Sequence, residues 1–269
     1  MIDPDQKNQE KIENTCSSLP GSDTDSDSSD EYVLVPLSEL QNAMRDFGRL
    51  GLLFPIGMTR EDACRMMYTI KVLNDDAYKK MIITDDPDMS EDDFNTLVLK
   101  TAYLDLFEWN DGRLYTVMKD QVLKSAAESM EKHEKLRQAF ATYEQELYYP
   151  CACALVSMVE GEMGKALDSS STKLYELMRL LSRQSNHPEK VFIYEGLAGF
   201  LSQLARSANF AHDQEPESIN RHWLLHGRSE RRVDKLDCLS LFTMYREIIE
   251  LIDYSRNQTE SEENHDQLR

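Results

Sequence analysis

The sequence has no apolar run near the roughly 18 residues that a membrane-spanning helix needs, and its opening MIDPDQKNQEK lacks the apolar stretch of a secretory signal. Both absences predict a cytoplasmic protein with no membrane partner. Cysteine is scarce. The five residues, at 16, 64, 151, 153 and 238, are scattered through a 269-residue chain, which fits reduced thiols and argues against a disulfide scaffold. Cys151 and Cys153 stand two apart, so on a helix they point roughly 200° away from each other and make a poor metal pair. Basic residues are also in deficit. With 30 Lys and Arg against 49 acids and a formal net charge of -19, the overall field repels phosphate and disfavours a nonspecific nucleic-acid coat. No fixed-period repeat is visible, and no convincing pair of strands follows residue 38.

What is there begins with 41% apolar residues, enough to fill a globular core. Beyond Ser38 the pattern is helical throughout, which predicts an all-α fold, a multi-helix bundle. Residues 1–31 are polar, and their GSDTDSDSSDE stretch has no apolar side chain to offset the entropy of ordering, so they read as a disordered acidic tail. In residues 32–37 (YVLVPL), an aromatic followed by aliphatics behind acidic serines resembles short motifs that add a strand to ubiquitin-like partners; the plainer reading is the first segment to pack on the folded body. Residues 32–143 read as an N-terminal helical region without recognisable chemistry, 144–253 as a second helical domain and 254–269 as a short disordered tail.

Local signals mark several helix ends. Leu40, Met44, Phe47 and Leu50 recur at helical spacing. Thr59 with Asp62, and Ser90 with Asp93, have the spacing of capping boxes, in which a side chain at each end satisfies the other's free amide. The acids around residue 86 do not make a calcium loop, because Glu91 stands where glycine is needed and Leu97 where the bidentate glutamate belongs. WNDGR (109–113) is turn chemistry. A single charged helix is expected from Leu114 to Leu147, followed by the apolar helix CACALVSMVEGEMGKAL, which carries Glu160, and by helices over TKLYELMRLLSRQ, PEKVFIYEGLAGFLSQLARSA and DKLDCLSLFTMYREIIELIDY.

One stretch departs from the acidic background. INRHWLLHGRSERR (219–232) belongs to a window, 220–235, with five Lys or Arg against two acids. Pro216 and Ser218 are helix-start residues and Gly227 a natural stop, so a short helix is expected from Pro216 to His226. At 100° per residue His222 and His226 share a face, about 40° apart, while Arg221 lies about 140° from His226. Arg221 and His226 therefore converge only through a long side chain, a loosened last turn or a second subunit.

Three readings compete for this segment. In the first, Trp223, Leu224 and Leu225 hold the helix in the core and Arg221 pairs with an acid such as Glu160. In the second, His222 and His226 form a zinc pair, but Trp223 stands where a metalloprotease helix has its glutamate, and His212 or Asp234 would have to supply a third ligand. In the third, imidazole and guanidinium serve RNA cleavage. A 2′-hydroxyl attacking its own phosphate needs a proton acceptor near neutral pH and a fixed cation for the developing charge, roles that suit His and Arg.

NRHWLLHG resembles the Arg-x4-6-His motif of the HEPN superfamily, in which the residue after Arg is commonly Asn, Asp or His; Arg221, His222 and His226 match it in order. The segment is also similar to uncharacterised bacterial proteins that carry an NRH..LHG stretch near the C-terminus and an apolar helix with Glu-Gly upstream, here Glu160-Gly161. The superfamily resemblance implies an all-α homodimer with the two motifs facing each other, acting as a metal-independent endoribonuclease in toxin–antitoxin or antiphage systems. It implies no cofactor and no metal. By this resemblance Arg221 and His226 are the catalytic residues, with Asn220, His222, Glu160 and Arg228 in support; RNA is the substrate, and a cognate antitoxin or regulatory protein is a possible partner. The alternative is a noncatalytic helical interaction or nucleotide-binding module in which the same residues are structural.

Overall fold

The computed structural model describes residues 37–55, 57–166 and 188–266. Every regular element among them is a helix: α1 (Leu37–Arg49), α2 (Arg60–Leu73), α3 (Asp76–Asp85), α4 (Glu91–Ser125), α5 (Met130–Glu144), α6 (Tyr148–Ala166), α7 (Pro188–Leu204), α8 (Arg221–Leu225) and α9 (Lys235–Asp266). The fold is all-α, as the periodicity predicts. The expected tail at 1–31, residues 32–36 of the YVLVPL stretch and the helix expected over 172–184 lie outside the described residues. α9 continues past residue 253 to Asp266. Among the described residues no helix is long and apolar enough to cross a membrane.

The described residues fall into two compact units, one of residues 57–115 and one that joins 37–55 to 116–166 and 188–266. α1 falls in the same unit as the helices that follow residue 115.

In the 57–115 unit, both capping boxes form. Asp62 N donates to Thr59 Oγ1 at 3.3 Å while Thr59 N donates to Asp62 Oδ2 at 2.7 Å. Asp93 N donates to Ser90 Oγ at 3.1 Å and Ser90 N returns a bond to Asp93 Oδ2 at 3.3 Å. α2 is tied to α4 by Arg65, whose Nε and Nη2 reach the two oxygens of Asp105 at 2.7 and 2.8 Å. Arg113 pairs with the buried carboxylate of Asp62. Burial pushes that carboxyl up, but hydrogen bonds from Arg113 and Thr59 outweigh it and hold Asp62 below the ordinary carboxylate range. The WNDGR turn interrupts α4: Asn110, Asp111 and Gly112 take φ of 54, 53 and 70°, a left-handed run that no α-helix tolerates.

In the larger unit, α6 packs against α5, α8 and α9, and α7 packs against α1 and α9. The core is lined by Leu136, Phe140, Leu155, Val156, Leu197, Phe200, Phe242 and Ile248, all essentially inaccessible. Phe140 stacks on Phe242 with centroids 3.9 Å apart, and Tyr143 meets the same ring edge-on at 5.9 Å. α1 crosses α7 where both carry small residues: a β-carbon on Gly48 would overlap the Gly196 carbonyl and lie 2.8 Å from Phe200 N, and one on Gly199 would overlap the Arg45 carbonyl. Arg45 closes the crossing by reaching Glu195, with Nε at 3.0 Å and Nη2 at 2.5 Å from Oε2.

The single helix expected over 114–147 is in fact two. The chain turns at 126–129, where Ala126 N, Ala127 N and Ser129 N each reach back three residues, and Ser129 caps α5 by accepting from Lys132 N at 3.4 Å. No Pro or Gly marks the break; the local hydrogen bonds that compete with the helix come from Ser125, whose hydroxyl donates to Val122 O at 2.7 Å, and Ser129.

Candidate functional site

A helix of five residues does not hold itself together, so the structure that surrounds α8 is what positions its side chains. The start is not Pro216, as the helix-start residues suggest, but Arg221, with Asn220 as its cap. The Asn220 side-chain oxygen accepts from His222 N at 2.9 Å and Trp223 N at 3.4 Å. Its amide nitrogen donates to the carbonyls of Gln203 and Arg206, both at 2.9 Å. One buried carboxamide thus bonds the free amides at the start of α8 and two carbonyls at and just beyond the end of α7. This dual demand sets the helix start five residues beyond Pro216.

The far end is closed as the sequence predicts. Gly227 takes φ 64°, and Arg228 N and Ser229 N both donate to Trp223 O, at 2.9 and 3.1 Å. Beyond it the Glu215 carboxylate collects three donors from successive residues: Ser229 Oγ, Glu230 N at 2.7 Å and Arg231 N at 3.1 Å. Arg231 itself grips Asp237 with both carboxylate oxygens at 2.9 Å. Burial pushes the Asp237 carboxyl above its ordinary range despite that pairing. Tyr149 of α6 donates its hydroxyl to Leu224 O at 3.0 Å, and Leu224 is the buried anchor of α8, whereas Leu225 is exposed. Of the expected Trp-Leu-Leu core anchor, Leu224 is therefore the fully buried member.

On this frame the candidate side chains separate into two groups. Arg221 turns to α6 and forms an ion pair with Glu160, each side chain somewhat over one-third exposed. The pair edges a cavity of about 140 Å³ otherwise walled by apolar side chains, among them Val159, Met163, Leu201 and Leu204. His226 is not among the residues that line it. The second group is His222 and His226, whose rings lie nearly parallel, 10° apart in plane and 6.1 Å between centroids. Burial, with the positive charges of Arg221 and His226, pushes the His222 imidazole below its ordinary range, against the smaller opposing pull of Glu160.

Phe210, from the loop after α7, is the residue that the sequence pattern does not single out. Its ring meets Trp223 edge-on at 5.1 Å and His226 at 5.6 Å, and the Arg228 guanidinium lies over it with Cζ 4.7 Å from the centroid. A tight turn presents this ring: Asn209 N donates to Asp213 Oδ2 at 2.6 Å, and Ala211 N to Asn209 Oδ1 at 3.2 Å. The Asn209/Asp213 turn chemistry was the available signal for Phe210. Nothing local marks Glu215, whose partners are 14 to 16 residues away.

Among the described residues no three His, Cys, Asp or Glu converge as a metal-binding group. Set beside family models, curated proteins and solved structures, the chain matches none of them.

Proposed function

We propose that the α8 segment is the acid–base centre of an endoribonuclease of the toxin or antiphage-defence type, working without a metal ion. The observation that carries this reading is the pair of near-parallel imidazoles, His222 and His226, 6.1 Å apart, with the Phe210 ring joining His226 to the Arg228 guanidinium. His222, held in its neutral form at neutral pH, takes the proton of a 2′-hydroxyl as that oxygen attacks the adjacent phosphorus. His226 gives a proton to the departing 5′-oxygen, leaving a 2′,3′-cyclic phosphate and a free 5′-hydroxyl. Arg221 adds fixed positive charge next to His222, and Asn220 sets the helix on which all three stand. A homodimer, and a cognate antitoxin or regulatory partner, go with this reading.

The test is RNA cleavage by the purified full-length chain in excess chelator. His226→Ala is expected to lower the rate by about 10²- to 10⁴-fold while the melting temperature stays within a degree or two of wild type. No cleavage by the wild type, with a clear fall in melting temperature for His226→Ala, would favour the second reading, a noncatalytic helical interaction or nucleotide-binding module. That reading draws on the Arg221–Glu160 pair, which ties α8 to α6 as a structural contact does.

A further inference from the structure

We infer that Arg228 is the side chain that binds the phosphate of an RNA strand at this site. The inference rests on the ribonuclease reading for its ligand, but the argument for the residue comes from what each cation of the segment already holds. Arg221 is matched by Glu160 and Arg231 by both oxygens of Asp237. At either one a phosphate would meet a guanidinium whose charge a carboxylate already offsets, and it gains less there than at an unpaired cation in an acidic protein.

Arg228 differs. Among the described residues it has no carboxylate partner; its contact is with the Phe210 ring, 4.7 Å from Cζ to centroid. Contact through an aromatic face holds the guanidinium in place without saturating its N–H donors, so they are available for bidentate bonding to phosphate oxygens. The same ring touches His226 at 5.6 Å, so Phe210 seats the cation and the acid–base imidazole on one platform.

Neither side of the platform is a loose loop. Phe210 sits in the Asn209–Asp213 turn described above. Arg228 follows Gly227 at a closed helix end, its own N–H bonded to Trp223 O, and the next three residues are bound to Glu215. The cation is therefore positioned before ligand arrives, which reduces the ordering cost of binding. Arg232 makes a matched comparison: it carries the same charge four residues on and is exposed, but it has no ring contact with Phe210.

The experiment is fluorescence anisotropy with a labelled 2′-O-methyl RNA decamer, which binds without being cleaved, on the full-length wild type, Arg228→Gln and Arg232→Gln at several salt concentrations. Arg228→Gln is expected to weaken binding about tenfold or more, and to reduce the slope of log K against log salt by about 0.7. Arg232→Gln is expected to change affinity less than threefold, and circular dichroism should give both variants the wild-type melting temperature. Equal losses in the two variants would show that general charge alone attracts the strand and would overturn the assignment; so would wild-type affinity in Arg228→Gln, or no binding by the wild type. The two claims fail separately. If the decamer binds through Arg228 but cleavable RNA stays intact, the ribonuclease reading falls and the phosphate site stands. If RNA is cut and Arg228→Gln leaves both binding and KM unchanged, the reverse holds.

Discussion

The α1–α7 crossing and the seat of α8 belong to the same unit, yet they are held by opposite means. At the crossing two backbones meet directly, glycine against carbonyl, with the Arg45–Glu195 pair laid over the contact. At α8 the apolar contacts are few, Leu224 in the core and Trp223 edge-on to Phe210, and much of the hold comes from side chains bonded to backbone groups: Asn220, Tyr149 and Glu215. The first arrangement is intolerant of any added atom. The second is intolerant of a lost polar group but leaves the outward side chains free to vary. A unit that keeps shape at one place and chemistry at another has reason to use both.

Substitutions that strain one hold and spare the other make this contrast measurable. The largest effect is expected for Gly199→Ala, whose new methyl has no room against the Arg45 carbonyl; overpacking of this kind costs about 3 kcal/mol, read as a lower denaturation midpoint. Gly161→Ala on α6 is its control, since nothing lies within 4 Å of the added atom, and helix propensity should make it neutral or stabilising by up to about 1 kcal/mol. If both behave alike, the crossing is not close-packed in solution.

Asn220→Ala comes next. It removes the cap of α8 and a bond to each of the Gln203 and Arg206 carbonyls, for an expected loss of about 2 kcal/mol and, on the ribonuclease reading, of RNA cleavage, because α8 loses its fixed start. Unchanged stability would mean that water replaces the carboxamide without penalty.

The smallest effect tests a polar group handled by neither means. Glu247 of α9 is 1% exposed, and neither carboxylate oxygen has a hydrogen-bond partner among the described residues. Burial, with Glu250 adding to it and Arg246 opposing, raises its carboxyl well above the ordinary range. The folded state then keeps a proton that the unfolded chain releases above about pH 4.5, so this residue lowers stability progressively as pH rises through that point toward neutrality. Glu247→Met should therefore gain on the order of 1 kcal/mol at pH 7, with no gain below pH 4. A gain of equal size at both pH values would assign the effect to packing, not ionisation.

The same contrast explains what could be read from sequence. Features set within a few residues were legible: the Thr59/Asp62 and Ser90/Asp93 boxes, the left-handed Asn110–Gly112 turn and the Gly227 stop each depend on atoms three or four positions apart. Features set across the chain were not. The turn at 126–129 has no Pro or Gly and only Ser129 as a cap, and the late start of α8 answers to carbonyls of Gln203 and Arg206 that no local pattern brings near. Helical spacing put His222 and His226 on one face, where the structure has them stacked. The pairing of Arg221 with Glu160, 61 positions earlier, is the one the first reading of the segment names, but nothing in the spacing shows that Phe210 would join His226 to Arg228.

The Glu215 clasp carries one more implication. Because a single carboxylate fixes the amides of Glu230 and Arg231 and the hydroxyl of Ser229, while Asn220 fixes the entrance, the peptide between them is stapled at both ends by bonds that use no side chain of residues 222, 226 and 228. Substitution at those three positions is therefore expected to change the chemistry offered to solvent, and the contacts to Phe210, before it changes the packing of the surrounding helices.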